Sequence, residues 1–256
     1  VSAKIDLTII MPAYMEAGTI KGSLQELARW LDSRNYGEVE VLVVTADSPD
    51  GTADIAREQK HLFQHFRVIN LGARVGKGRD VREGMFEARG RYRLFMDADL
   101  ATPLVHLDDV KRFMDDGGEI AVAVRNLWRI HKGFARKLIS KTSNIAAQIL
   151  VTPGIKDTQC GFKVFRADVA EDVFARMTML SWSFDAEILL IARERHYTIT
   201  PIEAPDWADP KAEGLGLVGD NPIKAALNGF IDLWVMRWNA IRGFYRRRTY
   251  RHHSIS

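Results

Sequence analysis

Short apolar runs recur along this chain with helical segments between them, and that alternation restricts its fold more than any other feature. Leu7-Thr-Ile-Ile-Met-Pro-Ala-Tyr14, Val39-Glu-Val-Leu-Val-Val-Thr-Ala46 and Phe66-Arg-Val-Ile-Asn-Leu71 each read as a strand. Runs this continuously apolar suit the interior of a parallel sheet. Helices are predicted over Thr19 to Ser33, with Ile20, Leu24, Leu27 and Leu31 on one face, then through Ile55 toward Phe63, and over Arg79 to Ala88. A strand from Tyr92, a helix around Val105 to Met114 and a strand from Glu119 to Val124 continue the pattern. The fold class is α/β, with a mostly parallel central sheet flanked by helices. Ligands of such sheets bind beyond the carboxyl ends of the strands. Tyr14, Asp47, Lys77 and Asp99 all follow strands and are expected on one edge.

The strand Tyr92-Arg-Leu-Phe-Met-Asp-Ala-Asp-Leu-Ala-Thr-Pro103 ends in two carboxylates, Asp97 and Asp99. Alternate strand residues point to one face, so the pair can aim the same way. Two hard oxygen ligands suit Mg²⁺ or Mn²⁺, a metal that usually also holds substrate phosphates. Asp47-Ser-Pro-Asp-Gly-Thr52 is a dense turn cluster able to cap the helix after it. Gly76-Lys77-Gly78 lies in a glycine-rich loop but lacks the full phosphate-loop spacing.

The second half is less regular. A loop from Arg125 to His131 leads to a helix of about Phe134 to Leu150 that carries Arg136, Lys137, Ser140, Lys141 and Asn144. Asp157-Thr-Gln-Cys-Gly-Phe-Lys-Val-Phe-Arg166 reads as a polar turn entering an apolar strand. Ser181-Trp-Ser-Phe-Asp-Ala-Glu187 opens a helix through Ile191, and Thr198 to Glu203 is a strand. The glycine-containing loop from Pro205 to Asn221 holds Trp207. From Pro222 onward Ile223, Leu227, Phe230, Ile231, Trp234, Trp238, Ile241 and Tyr245 recur at helical spacing, among Arg237, Arg242, Arg246, Arg247, Arg248 and Arg251. This segment suits either a helix packed on the domain or one lying on an anionic membrane surface. The basic run is short and no binding module accompanies it, so nucleic acid is not an expected partner.

The chain divides at this point into residues 1–220, a catalytic domain, and 221–256, a basic amphipathic helix and tail. With 256 residues, 46% of them hydrophobic, there is enough material for one large core. The single cysteine, Cys160, excludes an intrachain disulfide, fits a reducing compartment and reads as a small packed residue. No secretory signal is seen, and no run reaches the roughly 18 apolar residues of a membrane-spanning helix. The expected location is cytoplasmic, peripheral at the inner face of the membrane.

Several of these motifs occur in one order: Pro12-Ala-Tyr14 with Glu16, Ser48-Pro-Asp-Gly-Thr52, Gly76-Lys-Gly78, Asp97-Ala-Asp99 with Thr102-Pro103, and Asp157-Thr-Gln-Cys-Gly-Phe-Lys163. Together they resemble family 2 glycosyltransferases of the GT-A fold, and among those the polyprenyl-phosphate (dolichyl-phosphate) glucosyl- and mannosyltransferases. The likeness runs to about Arg246. It implies inverting transfer of a hexose from a nucleotide sugar to a lipid phosphate, with UDP-glucose favoured and GDP-mannose the alternative donor. By that resemblance Asp97 and Asp99 would bind Mg²⁺ or Mn²⁺ and the donor diphosphate. Pro12, Ala13, Tyr14, Glu16 and Asp47 would hold the nucleoside, and Lys77 would lie near the base or ribose. Asp157 and Gln159, with Asp99, would serve the reacting centre. Arg125, Arg136, Lys141, Glu187 and Trp207 would face the acceptor and its phosphate. Two departures stand out: Met15 replaces the family's usual Asn, and Thr45-Ala46 replaces its paired aspartates, with Asp47 one place later.

A phosphate acceptor is already an anionic nucleophile and needs cations to position it, which Arg supplies in planar, bidentate form. A hydroxyl acceptor would need a base near its proton, and Asp157 or Asp185 would be the candidates. Two rival readings follow: the same chemistry on a soluble natural-product or phosphorylated acceptor, and a catalytically silent nucleotide-sugar binder suggested by Thr45-Ala46.

Overall fold

The structure is a computed structural model that describes residues 4–125, 157–207 and 222–247. Its centre is a seven-stranded sheet of β1 (Leu7–Ala13), β2 (Val39–Thr45), β3 (His65–Asn70), β4 (Tyr92–Met96), β5 (Ile120–Arg125), β6 (Phe162–Arg166) and β7 (Ile199–Ala204). The order across the sheet is β3-β2-β1-β4-β6-β5-β7. Strands β1 to β4 pair in parallel, as do β5 and β7. Strand β6 runs antiparallel between β4 and β5.

The helices are α1 (Ile20–Asp32), α2 (Thr52–Glu58), α3 (Lys77–Glu87), α4 (His106–Asp115), α5 (Ala167–Phe174), α6 (Phe184–Glu194), α7 (Pro222–Ile241) and α8 (Phe244–Arg247), with a 3₁₀ turn over Gln59–Leu62. Each face of the sheet has its own core. Leu7, Ile9 and Met11 alternate with Ile10, so β1 feeds both. One face packs against α1 and α4 through Leu24, Leu27, Leu107 and Val110; the other packs against α3, α5, α6 and α7 through Val81, Val173, Leu189 and Met236.

The alternation predicted the strands to within about a residue at most ends. Helix α5 was not anticipated. Its Val169, Ala170, Val173 and Phe174 are buried, but two turns of helix are too short to display a period. On α7 the expected stripe takes a specific form. Leu233, Met236 and Ala240 are buried, while Ile231, Trp234, Trp238 and Ile241 stand more than half exposed. Trp234 and Trp238 therefore face outward, whereas Tyr245 on α8 packs into the domain.

Candidate active site

Strands β1 and β4 pair only from Leu7–Ile10 to Tyr92–Phe95 and then part. The chain leaves β1 toward β2 on one side, while β4 lies on the other, so a crevice opens at the carboxyl ends where such sheets bind ligands. Pro12 and Ala13 line up with Val44 and Thr45 on the β2 side of this opening. On the other side the chain turns through Asp97, Ala98 and Asp99. The Leu100 N–H closes that turn on the Asp97 carbonyl at 3.1 Å, with Leu100 at φ 54°. The Ala101 N–H donates to Asp99 Oδ1 at 3.2 Å. The Asp97 N–H donates to the Gly161 carbonyl at 3.1 Å, and any Cβ at 161 would overlap the Asp97 carboxylate. Gly161 is thus glycine because that carboxylate occupies the space.

Lys77, the first residue of α3, donates its ammonium to Asp97 and lies 5.4 Å from the ring centre of half-exposed Trp182. Burial opposes its charge, but the carboxylates of Asp97, Asp185 and Asp99 outweigh that and hold its pKa above the usual lysine range. The flanking glycines fit a close approach. A Cβ at Gly76 would overlap the Leu180 carbonyl, and one at Gly78 would lie 2.8 Å from the Met179 carbonyl oxygen. The loop is shaped by its protein neighbour, the Met179–Leu180 backbone.

Two carboxylates at a strand end are a donor set that fits a small hard cation. Among the described residues no group of three or more His, Cys, Asp or Glu could cage a metal alone. The remaining coordination would fall to substrate phosphates and water, as is usual for Mg²⁺.

The β1–β2 side of the crevice is held by a clamp. Three successive amides, Met15, Glu16 and Ala17, donate to Ser48 Oγ at 2.9 Å, Thr52 Oγ1 at 2.9 Å and Asp50 Oδ2 at 3.0 Å. Asp50 also accepts from Ser48 Oγ and Thr52 Oγ1, each at 2.6 Å, and from the Thr52 N–H at 3.1 Å. Burial works against its charge, yet the bonds from Ser48, Thr52 and Ala17 hold its carboxyl well below the usual range. Glu16 accepts from the Thr19 hydroxyl at 2.6 Å. The Arg74 guanidinium covers the Tyr14 ring at 3.8 Å and lies 3.6 Å from buried Asp80, whose pKa burial pushes up to about 6.

The structure also locates the two departures. Met15 is exposed at φ 59°, a left-handed position that Asn tolerates better than most residues. Thr45 and Ala46 are fully buried, and the Thr45 hydroxyl turns inward onto the Ala46 carbonyl at 2.9 Å. Asp47 is exposed and accepts from Asn70 Nδ2 at 3.0 Å.

Across the crevice, Asp157 is 2% exposed and fully engaged. It accepts from Arg125 Nε at 2.5 Å, Arg125 Nη2 at 2.9 Å, the Arg125 N–H at 3.2 Å and the Gln159 N–H at 3.1 Å. Burial opposes its ionisation, but Arg125 prevails and its pKa falls. Gln159 is exposed beside it. The Trp207 ring lies 4.8 Å from the Arg125 guanidinium, and its buried indole N–H has no partner among the described residues. Asp206, just before it in the chain, accepts from His106 Nε2 at 2.7 Å, while His106 Nδ1 meets Asp109 at 2.9 Å.

Three expectations need correction or limits. Glu187 does not face an acceptor. It is fully buried, accepts from the Thr178 and Met179 N–H groups and the Thr178 and Tyr245 hydroxyls, and serves the packing of α6. Asp157 and Asp185 do not suit the role of general base. The first is saturated by Arg125 and the second is paired with Lys163. Arg136 and Lys141 lie outside the described residues. The sequence reading also missed Lys163, a fully buried lysine on β6 that donates to Asp185 and, at 2.6 Å, to the Cys160 carbonyl. Its signal was a lone charge inside the apolar run Phe162-Lys-Val-Phe165, which demands a buried counter-ion.

Residues 8–174 match glycosyl transferase family 2. The chain belongs to this family. Dolichyl-phosphate beta-glucosyltransferase of Homo sapiens is 30% identical, over 94% of this chain and 77% of the relative. The enzyme of that name from Drosophila melanogaster is 33% identical, over 81% of this chain and 68% of the relative. Among solved structures, mannosyl-3-phosphoglycerate synthase from Rubrobacter xylanophilus superposes with a TM-score of 0.67 at 17% identity, covering 98% of this chain and 79% of that one. Glucosyl-3-phosphoglycerate synthase from Mycobacterium tuberculosis, solved with Mn²⁺, UDP and phosphoglyceric acid, gives 0.60 at 14%, covering 91% and 77%. At such identities these two neighbours speak for the fold: GT-A, as the sequence predicted. This family 2 chain is a glycosyltransferase.

Proposed function

We propose that the chain transfers glucose, with inversion, from UDP-glucose to a polyprenyl phosphate, at a divalent metal held by Asp97 and Asp99. The relatives' names support glucose and a lipid-phosphate acceptor. Within the site, the observation that carries the reading is the saturation of Asp157 by Arg125. A hydroxyl acceptor needs a carboxylate free to take its proton. An acceptor phosphate arrives ionised, so a fixed cation matters more than a base. The bond from the glucosyl carbon to the donor diphosphate breaks, UDP leaves with its electron pair, and an acceptor phosphate oxygen takes its place on that carbon. Asp157 takes the Nε and Nη2 edge of the Arg125 guanidinium and so fixes the group, which lets its other N–H donors meet phosphate with little further loss of side-chain freedom. Lys77 supplies positive charge beside Asp97, where the leaving diphosphate lies in this reading. When bound, Mg²⁺ or Mn²⁺ would neutralise the charge growing on that leaving group.

The acceptor is lipid-borne in this reading, and α7 supplies a way to reach it. Ile231, Trp234, Trp238 and Ile241 are exposed beside Arg237, Arg242, Arg246 and Arg247, a composition suited to an anionic membrane surface at the cytoplasmic side. Among the described residues no helix is long and apolar enough to cross a membrane.

The test is a donor panel with Mg²⁺ or Mn²⁺ and a short polyprenyl phosphate, reading glycolipid and free nucleotide, alongside Asp99→Asn. Glycolipid from UDP-glucose, lost in Asp99→Asn, is expected. Undiminished transfer in that variant would overturn the metal assignment, and UDP release without glycolipid would overturn the acceptor. Sedimentation with phosphatidylglycerol vesicles, lost in Trp234→Ser/Trp238→Ser, is expected for α7.

A further inference from the structure

Glu187 has no ligand to meet, yet it is the most heavily bonded carboxylate on α6. Its Oε2 accepts the Thr178 N–H at 2.8 Å and the Met179 N–H at 2.7 Å. Its Oε1 accepts the Thr178 hydroxyl at 2.5 Å and the Tyr245 hydroxyl at 2.9 Å. These bonds fix the segment that joins α5 to α6. The next residues of that segment press on the donor loop. Leu180 accepts the Arg79 N–H at 3.2 Å, and the Met179–Leu180 backbone fills the space a side chain would need at Gly76 and Gly78. Between those glycines stands Lys77, on Asp97. The same segment is tied to the C-terminal helices twice, through Tyr245 on α8 and through Ser183, which donates to Asp232 on α7.

We propose that Glu187 is a positioning residue for the donor site, holding residues 178–180 against Gly76 and Gly78 so that Lys77 is presented to Asp97, with Tyr245 making that placement depend on the seating of the C-terminal helices. The inference rests on the reading that the donor diphosphate binds at Asp97 and Lys77, and it adds an element that touches no substrate. A carboxylate is suited to the task because it alone among side chains accepts four such bonds at once without donating any. Packed interfaces shift between discrete arrangements and do not deform smoothly, so loosening this node should move the loop as a unit.

The experiment is a double-mutant cycle on the full chain, read as UDP affinity in Mn²⁺ by calorimetry and as KM and kcat for UDP-glucose. Glu187→Gln leaves a buried amide facing two N–H donors, so Tyr245→Phe, which removes one hydroxyl and keeps the ring, is the milder companion. Each variant is expected to weaken UDP binding, by about tenfold and threefold, with the change in KM exceeding that in kcat; tenfold equals about 1.4 kcal/mol. In a Lys77→Met background neither variant should weaken UDP further, because the effect acts through Lys77. Additive losses in that background would overturn the proposal, as would Tyr245→Phe and Glu187→Gln folding normally with wild-type UDP affinity. Wild-type protein that binds no UDP at all would instead overturn the donor reading, and this inference with it.

Discussion

The two sides of the crevice are held in different ways. On one side, β1 and β2 deliver loops tied by hydroxyls and one carboxylate to three successive amides. On the other side, around antiparallel β6, buried opposite charges meet: Arg125 with Asp157 and Lys163 with Asp185. Amide-to-hydroxyl bonds are worth about 1 kcal/mol each and fail singly. A buried ion pair contributes little net stability when intact, but losing one partner strands a charge and costs about 3–5 kcal/mol. The first arrangement should tolerate change that the second does not.

Lys163→Met is the hardest blow to that contrast. Buried Asp185 would lose the Lys163 ammonium, and urea denaturation should show a loss of about 3–5 kcal/mol. Pairing it with Asp185→Leu should return most of that stability. If the single variant were as stable as the double, the buried pair would not distinguish this side. Asp50→Ala on the β1–β2 side should cost less, about 1–2 kcal/mol, since the Ser48 and Thr52 hydroxyls can still accept from Met15 and Glu16. Its larger signature should be kinetic, a several-fold rise in KM for the donor with kcat little changed.

The two sides should also part in their response to pH. The pKa of Asp50 is depressed, so its contribution is present above the ordinary carboxyl value of 3.8 and is lost only as pH falls through the lower native value. His106 has the opposite sign. Burial opposes its charge, but Asp206 and Asp109 raise its pKa; Arg112, bonded to Asp109, is the nearby cation on the same helix. Its contribution is complete below the ordinary value of 6.5 and disappears as pH rises through the raised one. Stability measured from pH 6 upward should therefore decline, by at most about 1.4 kcal/mol per pH unit for one proton. His106→Gln should flatten that decline, and an unchanged slope would remove His106 as its source.

The same contrast explains what the sequence could disclose. Strands β1 to β5 and the edge carrying Tyr14, Asp47, Lys77 and Asp99 were legible because each follows from a local apolar run and the turn after it. The Asp50 clamp was half legible: Ser48-Pro-Asp-Gly-Thr52 announces a turn and a cap, but not that its hydroxyls reach 33 and 36 residues back to Met15 and Glu16. Lys163 announced a buried counter-ion without naming Asp185, and the role of Glu187 was not legible. An acid in the first turn of a helix looks like a dipole partner, and only the fold brings Thr178 and Tyr245 onto it. The antiparallel direction of β6 is likewise set by pairing partners far away in sequence.

The smallest effect tests the clamp from within. Met15 is held at φ 59° while its N–H donates to Ser48, and its side chain is 54% exposed. A left-handed residue with a Cβ costs about 1 kcal/mol, and Asn pays less because its short amide bonds locally in that conformation. Met15→Asn should therefore stabilise the protein by about 0.5–1 kcal/mol, raising Tm by about 1–4 °C for a domain of this size. Because the bond to Ser48 is made by the backbone, the clamp should survive and the KM for the donor should stay put. A gain in Tm with an altered donor KM would say that the exposed thioether, which relieves no strain and fills no core, is kept at this lip for contact with the nucleotide. No gain at all would mean that the clamp, with its three amide bonds, already absorbs the strain that the backbone angle implies.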